Sequence, residues 1–386
     1  MKKALMMSSV ASMIDLFNMN NIEILRNLGY EVEVACNFEY GSITSKDRVN
    51  EFKNELINDN YKVHHIPVPR SVFAFSDIIK SYRMMKNLCK KNNYEIVHCH
   101  SPIGGIIARL ACRKLRKKGT KVIYTAHGFH FFKGAPVKNW LIFYTAEKLT
   151  ANFTDSLIAI NKEDFENAMK FNVKNIEYVP GIGIDVNKIV STQIDKKLKR
   201  DEFNLSEDDF VLFSAGQLSK RKNHEVVIRA LAKIKDENVK LLICGLGELE
   251  NYLKDLIIEL GLESRVILAG YRKDVIELLH AVDCFVFPSY QEGLPVALME
   301  AMASGLPIVC SKIRGNVDLI IEGEGGYFID PDDYLDLAEK INMLLNTPNK
   351  VKEMGTLNMR ESRKYDIHNI NLMMAEIYKK VNNDRV

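Results

Sequence analysis

The sequence predicts an α/β protein made of two doubly wound parallel sheets. Its 386 residues are too many for one ordinary core and suit two domains of roughly 100–200 residues each. Short β-rich runs alternate with amphipathic helical stretches along nearly the whole chain, the pattern of a parallel sheet covered by helices on both faces. Twelve such runs can be read, more than one small sheet holds.

In chain order, the front half gives strands at Lys3–Met7, Glu31–Ala35, Lys62–Ile66, Ile96–Cys99, Lys121–Ala126 and Ser156–Ile160, with helical stretches such as Ile22–Leu28 and Asp77–Cys89 between them. The back half repeats the rhythm at Phe210–Ser214, Lys240–Cys244, Arg265–Ala269, Cys284–Phe287, Pro307–Cys310 and Gly326–Ile329. The pattern breaks at Val179-Pro-Gly-Ile-Gly-Ile-Asp185, ahead of a polar segment that runs to Arg200. This sets an N-terminal domain at 1–185 and a C-terminal domain at 186–366. The closing amphipathic helix, Ile367–Val381 within a tail at 367–386, can pack back onto the first domain. Two such domains frame a cleft outside the carboxyl ends of their strands, where open α/β sheets take ligands, and closure about Val179–Asp185 is expected.

Composition narrows the class. Hydrophobic residues make up 47% and charged residues 27%, a balance that excludes disorder and a collagen-like repeat. No run reaches the ~18 apolar residues that span a bilayer. The opening Met1–Val10 faintly imitates a signal peptide, but Ser8, Ser9 and then Asp15 interrupt it, so a first strand is the better reading. Seven scattered cysteines without a CxxC pair argue for a reducing cytoplasm and against a disulfide frame or zinc site. The charge is uneven. Residues 1–185 carry 26 Lys and Arg against 18 Asp and Glu, and the remainder 27 against 32. A basic front half suits an anionic surface or substrate.

The chemistry concentrates at Phe287-Pro-Ser-Tyr-Gln-Glu-Gly-Leu-Pro-Val-Ala-Leu-Met-Glu-Ala-Met-Ala-Ser-Gly-Leu-Pro307. A strand ends at Pro288, a helix starts near Pro295, and Gly305-Leu-Pro307 stops it. Every residue from Val296 to Ala303 is apolar except Glu300. A helix apolar all round is buried, so Glu300 needs hydrogen-bond donors, which ribose hydroxyls would supply. Glu292 lies in the loop before it. Between the two, the amides of Gly293 and Leu294 and the helix N-terminus form a ready seat for a diphosphate.

At these residues the sequence resembles the retaining GT-B glycosyltransferases of family 4. The Glu-x7-Glu pair carries the resemblance, which extends over nearly the whole chain. Gly216-Gln-Leu-Ser-Lys-Arg-Lys222-Asn is similar to the family's phosphate loop, and Gly245-Leu-Gly247 and Gly270-Tyr-Arg-Lys-Asp274 fall where its next two strand-end loops lie. The fragments EIVHCHSPIGG and VIYTAHGFHFFKGAP resemble bacterial exopolysaccharide enzymes that extend polyprenyl-diphosphate-linked sugars. The resemblance implies that Glu292 holds the donor sugar, Glu300 the ribose and Lys222 the diphosphate, beside Gly216, Gly293, Leu294 and Pro295. It implies that Tyr271 and Arg272 bracket the base and that His127 meets the donor sugar or diphosphate. Two departures stand out. Gln217 occupies a place where many members have Arg, leaving Lys220, Arg221 or Lys222 to supply the charge. The loop read at Ser8–Met13, with Ser9 at the acceptor side, lacks the family's glycine pair. His100, one strand before His127, is a further cleft candidate, whereas His98 packs in the sheet.

The expected reaction is transfer of a hexose from a nucleotide sugar, UDP-linked, to a lipid-linked saccharide with retention and without metal or other cofactor. A lysine and oriented amides would neutralise the leaving phosphate, so the paired carboxylates of glycoside hydrolysis are not needed. Asp330-Pro-Asp332 reads as a turn rather than a metal motif. Basic helices at Asp77–Lys91 and Ile103–Lys118, flanked by Phe73, Phe75, Phe129, Phe131 and Phe132, suit an anionic membrane surface on the cytoplasmic side. Three rivals are weaker. A dinucleotide-dependent oxidoreductase would need a third glycine where Glu250 stands. A nucleotide-sugar 2-epimerase would turn over without an acceptor, and a non-catalytic binding module would not turn over at all. No nucleic-acid recognition module is present.

Overall fold

The computed structural model describes residues 2–39 and 44–383. Residues 384–386 of the expected tail and Met1 of the opening run lie outside them. The chain separates into two compact units, one of Met1–Ile182 with Asn369–Val386, the other of Gly183–His368.

The first unit is built on a seven-stranded sheet ordered β3-β2-β1-β4-β5-β6-β7. Its strands are β1 Lys2–Val10, β2 Tyr30–Asn37, β3 Lys62–His65, β4 Ile96–His100, β5 Lys121–Ala126, β6 Ser156–Ala159 and β7 Asn175–Tyr178, and all pairs are parallel. Period-two alternation assigns side chains to two helical layers. Ala4 and Met6 of β1 enter one core, while Leu5 and Met7 enter the other. Strand β7 is absent from the twelve read in the sequence. It is a four-residue edge strand whose side chains are all only half-buried, so it carries no apolar run.

The first unit departs from three further expectations. The loop expected at Ser8–Met13 does not exist: β1 continues to Val10 and a helix starts at Ala11. The register shifts between Met7 and Val10, and Ser8, fully buried, donates to the Val10 carbonyl at 2.7 Å. The basic helix expected at Ile103–Lys118 ends at Cys112, with a separate 3-10 turn at Arg116–Lys118. Its Arg109 is not on a solvated face. It lies buried over the Tyr124 ring at 4.0 Å, paired with Glu147 at 2.7 Å. Phe129 and Phe131, expected at the surface, stack in the core with ring centroids 4.6 Å apart.

The second unit has a six-stranded parallel sheet ordered β10-β9-β8-β11-β12-β13. Its strands are β8 Phe210–Ala215, β9 Val239–Cys244, β10 Val266–Leu268, β11 Cys284–Phe287, β12 Ile308–Ser311 and β13 Gly326–Ile329. Strand order reverses between β8 and β11, the switch point at which such sheets open a crevice beyond their carboxyl ends. The last helix, Ile367–Asn383, begins in this unit and continues into the first. There Ile370, Met374, Ile377, Tyr378 and Val381, at helical spacing, join the core formed with β1, β2 and β5.

Candidate functional site

Five strand-end loops of the second unit meet there, after β8, β9, β10, β11 and β12, and glycines allow their backbones to touch. The Gly216 N–H donates to the Cys244 carbonyl at 2.9 Å, and Gly245 N–H to that of Gly270 at 2.8 Å. A side chain on Gly245 would place Cβ 1.9 Å from the Gly216 oxygen, and one on Gly247 would lie 2.2 Å from that of Leu218. On the other side of the switch point, a Cβ at Gly315, held at φ 83°, would fall 2.2 Å from the Gly293 oxygen.

This frame fixes a charged trio. Lys222 Nζ and Arg221 Nη1 both donate to Glu292 Oε1 at 2.8 Å. Arg221 also donates to the Gln291 carbonyl at 2.9 Å. The Lys222 stem runs past Gly216, and its ammonium sits 4.5 Å from the Phe287 ring centroid. Burial depresses the Lys222 ammonium against the opposing pull of Glu292. Arg314, from the loop after β12, donates twice at 3.1 Å to the Glu292 carbonyl and so holds the acidic loop. Asn223, at φ 56°, ties the phosphate-loop segment to the Pro288 and Pro331 carbonyls at 3.2 and 2.7 Å.

The helix Val296–Ala303 starts one residue after Pro295, which is its N-cap. It is not buried all round. Val296, Ala297 and Glu300, which share one face by their i, i+3 and i+4 spacing, are half-buried, while Leu298, Met299, Ala301, Met302 and Ala303 are fully buried. The open face gives a ligand access to Glu300. No described residue hydrogen-bonds to or pairs with its carboxylate, and burial pushes its pKa up to about 7. Nor do the N–H groups of Gly293 and Leu294 find an acceptor among the described residues. Carboxylate and amides together offer acceptors to hydroxyls and donors to an anion, which is the equipment for a nucleoside diphosphate.

The remaining expected residues separate. Gln217 is exposed at its loop tip and Tyr271 is 69% exposed. Arg272 is taken up by Asp274 and, at 2.8 Å, by Glu202, over the Phe203 ring, and these pairings leave it a scaffold cation beside Tyr271. Asp330-Pro-Asp332 forms a turn in which the Asp332 N–H donates to Asp330 Oδ1. Among the described residues no three His, Cys, Asp or Glu side chains are placed so that they could hold one metal ion.

In the first unit, β4 and β5 bring together a row of imidazoles. His98, inward and buried, contacts the Tyr378 hydroxyl at 2.7 Å and Thr125 Oγ1 at 2.8 Å. The His100 ring lies tilted by 44° against it, 4.1 Å between centroids, and meets His127 Nε2 at 3.0 Å. Burial lowers His98 to about 3 and His127 to about 4, so the row is neutral near pH 7. His127 alone of the three is half-exposed, and it lines a small pocket of about 30 Å³ together with Phe17, Asn21, Ile160 and Met374. Ser9 is committed to the fold, its Oγ accepting the Gly104 N–H at 3.0 Å. The glycine there is needed, because a Cβ at 104 would lie 2.9 Å from that oxygen.

Sequence reading missed Arg314, Gly315, Asn223 and Tyr378. The Arg-Gly pair in the short loop after a strand was a readable signal for the first two. Nothing local marks Tyr378, which reaches His98 across 280 residues.

Two family models match the chain: "Glycosyl transferase 4-like" over residues 8–161 and "Glycosyl transferases group 1" over residues 195–359. The sequence is 32% identical over 382 residues to the Bacillus subtilis protein that carries the glycosyltransferase name EpsD, covering 98% of this chain and 96% of that one. It is 30% identical over 353 residues to an Escherichia coli UDP-Gal:alpha-D-GlcNAc-diphosphoundecaprenol alpha-1,3-galactosyltransferase, covering 89% and 87%. Among solved structures, Anabaena Alr3699/HepE in complex with UDP superposes with a TM-score of 0.77 at 20% identity, covering 98% of this chain and 100% of that one. That likeness is one of fold.

Proposed function

The chain belongs to the GT-B glycosyltransferases of the group 1 and 4-like families, and from that premise we propose its donor, acceptor and stereochemistry. The donor is a UDP-linked hexose, the acceptor a polyprenyl-diphosphate-linked saccharide, and the anomeric configuration is retained. The product serves surface-polysaccharide or glycan synthesis. The observation that carries the donor reading is Glu300: a half-buried carboxylate, without a partner among the described residues, on the open face of a helix whose preceding loop presents two free amides. The Escherichia coli relative named for UDP-Gal and a diphosphoundecaprenol-linked sugar supports the substrate classes.

In this reading Glu300 accepts from the ribose hydroxyls and Glu292 from those of the hexose. Lys222 and the amides of Gly293 and Leu294 face the diphosphate, with Gly216, Gln217 and Pro295 shaping its seat. As the sugar–phosphate bond lengthens, negative charge grows on the departing phosphate, and a lysine and amides already in place stabilise it without reorganisation. The leaving phosphate takes the acceptor proton on the same face of the sugar, so the reaction uses neither a covalent carboxylate nor a metal or other cofactor. Tyr271 lies against the base, with Arg272 bracing its loop. His127, neutral and bonded to His100, offers its remaining ring edge to the donor sugar, and the adjoining pocket, with Ser9 holding the nearby helix, belongs to the acceptor side.

The enzyme works from the cytoplasmic side of the membrane as a peripheral protein. Support comes from the segment Val137–Leu149, where Val137, Leu141 and Leu149 are 74%, 69% and 63% exposed among exposed Lys133, Lys138 and Lys148. Apolar groups interleaved with lysines suit an anionic lipid surface, and no helix among the described residues is long and apolar enough to cross a membrane. Vesicle flotation should show binding that needs anionic lipid and weakens with salt; equal flotation on neutral vesicles would contradict it.

A donor screen scored by product mass on a polyprenyl-diphosphate glycan tests the reaction. UDP-hexoses should give product, and Glu292→Ala, Glu300→Ala and Lys222→Ala should each lower turnover at least 100-fold with the fold intact. Near-normal transfer by all three variants overturns the site, and conversion of the donor without acceptor overturns the reaction in favour of epimerisation.

A further inference from the structure

We propose that Arg221 is the second cation of the diphosphate seat, and that Glu292 occupies that seat in the ligand-free chain as an intramolecular competitor of the incoming phosphates. The inference rests on the reading of this site as a nucleotide-sugar site.

Three observations lead to it. Arg221 Nη1 and Lys222 Nζ both lie 2.8 Å from the same oxygen, Glu292 Oε1. A position equidistant from two cations is where a bridging phosphate oxygen would sit. The Glu292 and Lys222 side chains are only 10% and 12% exposed, so water screens their interaction weakly, whereas Arg221, at 45%, faces the open side from which a ligand arrives. Finally, the trio has one carboxylate for two cations. The ligand-free seat therefore keeps a residual positive charge, and a diphosphate with two or more negative charges neutralises it better than Glu292 alone.

A consequence follows that ordinary binding residues do not share. When the phosphates arrive, the carboxylate must give up Oε1 and then stands beside an anion of like charge. Removing its charge leaves both cations free for the ligand. Glu292→Gln should therefore tighten binding of UDP, which has no hexose for Glu292 to hold, while abolishing transfer. Arg221→Gln should weaken it. Arg221 also offers a fork in place of the cation that Gln217 does not supply, and a planar fork grips phosphate in a way that a lysine cannot.

The experiment is calorimetric titration of the full-length chain with UDP and with inorganic pyrophosphate. It compares wild type with Glu292→Gln, Arg221→Gln, Arg221→Lys and Glu300→Gln. The expected result is tightening of about 10-fold for Glu292→Gln and weakening of about 10-fold for Arg221→Gln, with both ligands and partial recovery in Arg221→Lys. Glu300→Gln should weaken UDP alone, because pyrophosphate has no ribose. Ligand-free thermal unfolding guards against misfolded variants: Glu292→Gln should melt lower than wild type, since Lys222 loses its partner, yet gain a larger upward shift from UDP. Unchanged or weaker binding of both ligands by Glu292→Gln, with Arg221→Gln and Glu300→Gln still impaired, overturns the competition and leaves the site reading standing. Unaltered pyrophosphate binding by Arg221→Gln overturns its role as the second cation. If wild type binds pyrophosphate but not UDP, the nucleotide reading fails while the two-cation seat survives.

Discussion

A carboxylate that the fold leaves unpaired is costly to keep, and Glu300 shows the cost as a titration. Burial lifts its pKa from 4.5 to about 7, so the folded chain holds that proton more tightly than the unfolded chain. Stability from this group is then full below about pH 4.5 and lost as pH rises through about 7, a swing of roughly 3 kcal/mol at most. Glu300→Gln should accordingly raise the ligand-free melting temperature at pH 8 and leave it nearly unchanged at pH 4.5. UDP binding by the wild type should strengthen from pH 6 to pH 8 as the carboxylate becomes a better acceptor, and the Gln variant should lose that dependence. Melting curves and titrations at the three pH values check it, and a Gln variant no more stable than wild type at pH 8 would count against a desolvated Glu300. The residue itself was legible in the sequence, because one acid among seven apolar neighbours is conspicuous. Its open face was not. Composition gives a helix's average burial, whereas the half-burial of Val296, Ala297 and Glu300 beside five fully buried neighbours is set by how the fold packs around the helix.

Among the elements, backbone proximity at strand ends decides the site more than the helices do. Gly315 illustrates it, with φ 83° and space that ends 2.2 Å away at the Gly293 oxygen. Gly315→Ala should push the Gly293 loop outward, costing about 1–3 kcal/mol through strain and displaced packing. Turnover should fall at least 10-fold with a raised KM for the donor, and urea unfolding together with steady-state kinetics measures both. A variant with wild-type KM would show the loop position to be immaterial. Sequence periodicity found twelve of the thirteen strands among the described residues, because central parallel strands are continuous apolar runs, and lost β7, whose edge position needs none. The expected helix Ile103–Lys118 erred for a related reason. Arg109 counts as basic in any composition, yet its guanidinium is neutralised by Glu147, 38 residues away, and stacked on Tyr124. The Phe129–Phe131 pair went the same way, apolar in sequence and core in the fold.

At the level of the whole chain, the last helix completes the core of the first unit. Ile370, Met374, Ile377 and Val381 are each at least 94% buried there, and each contributes about 1.5–3 kcal/mol, together comparable with the entire stability of a domain. Ending the chain after His368 should leave the first unit unfolded or aggregated while the second still melts cooperatively, as circular dichroism and limited proteolysis would show; a soluble, folded first unit would refute it. The milder Tyr378→Phe, which removes only the hydroxyl that His98 contacts, should cost about 1 kcal/mol. What the sequence determined by itself was the alternation of strands and helices, the strand-end position of the acidic and basic residues, and the Glu-x7-Glu motif, since all of these follow from spacing along the chain. Only the tertiary structure decided which charges are spent on one another. The pairing of Glu292 with Arg221 and Lys222, the burial of Arg109 and the seat of Tyr378 on His98 join residues 38 to 280 positions apart. Coulomb attraction and hydrogen bonding act over ångströms in space, and spacing along a chain carries no record of distances set by folding.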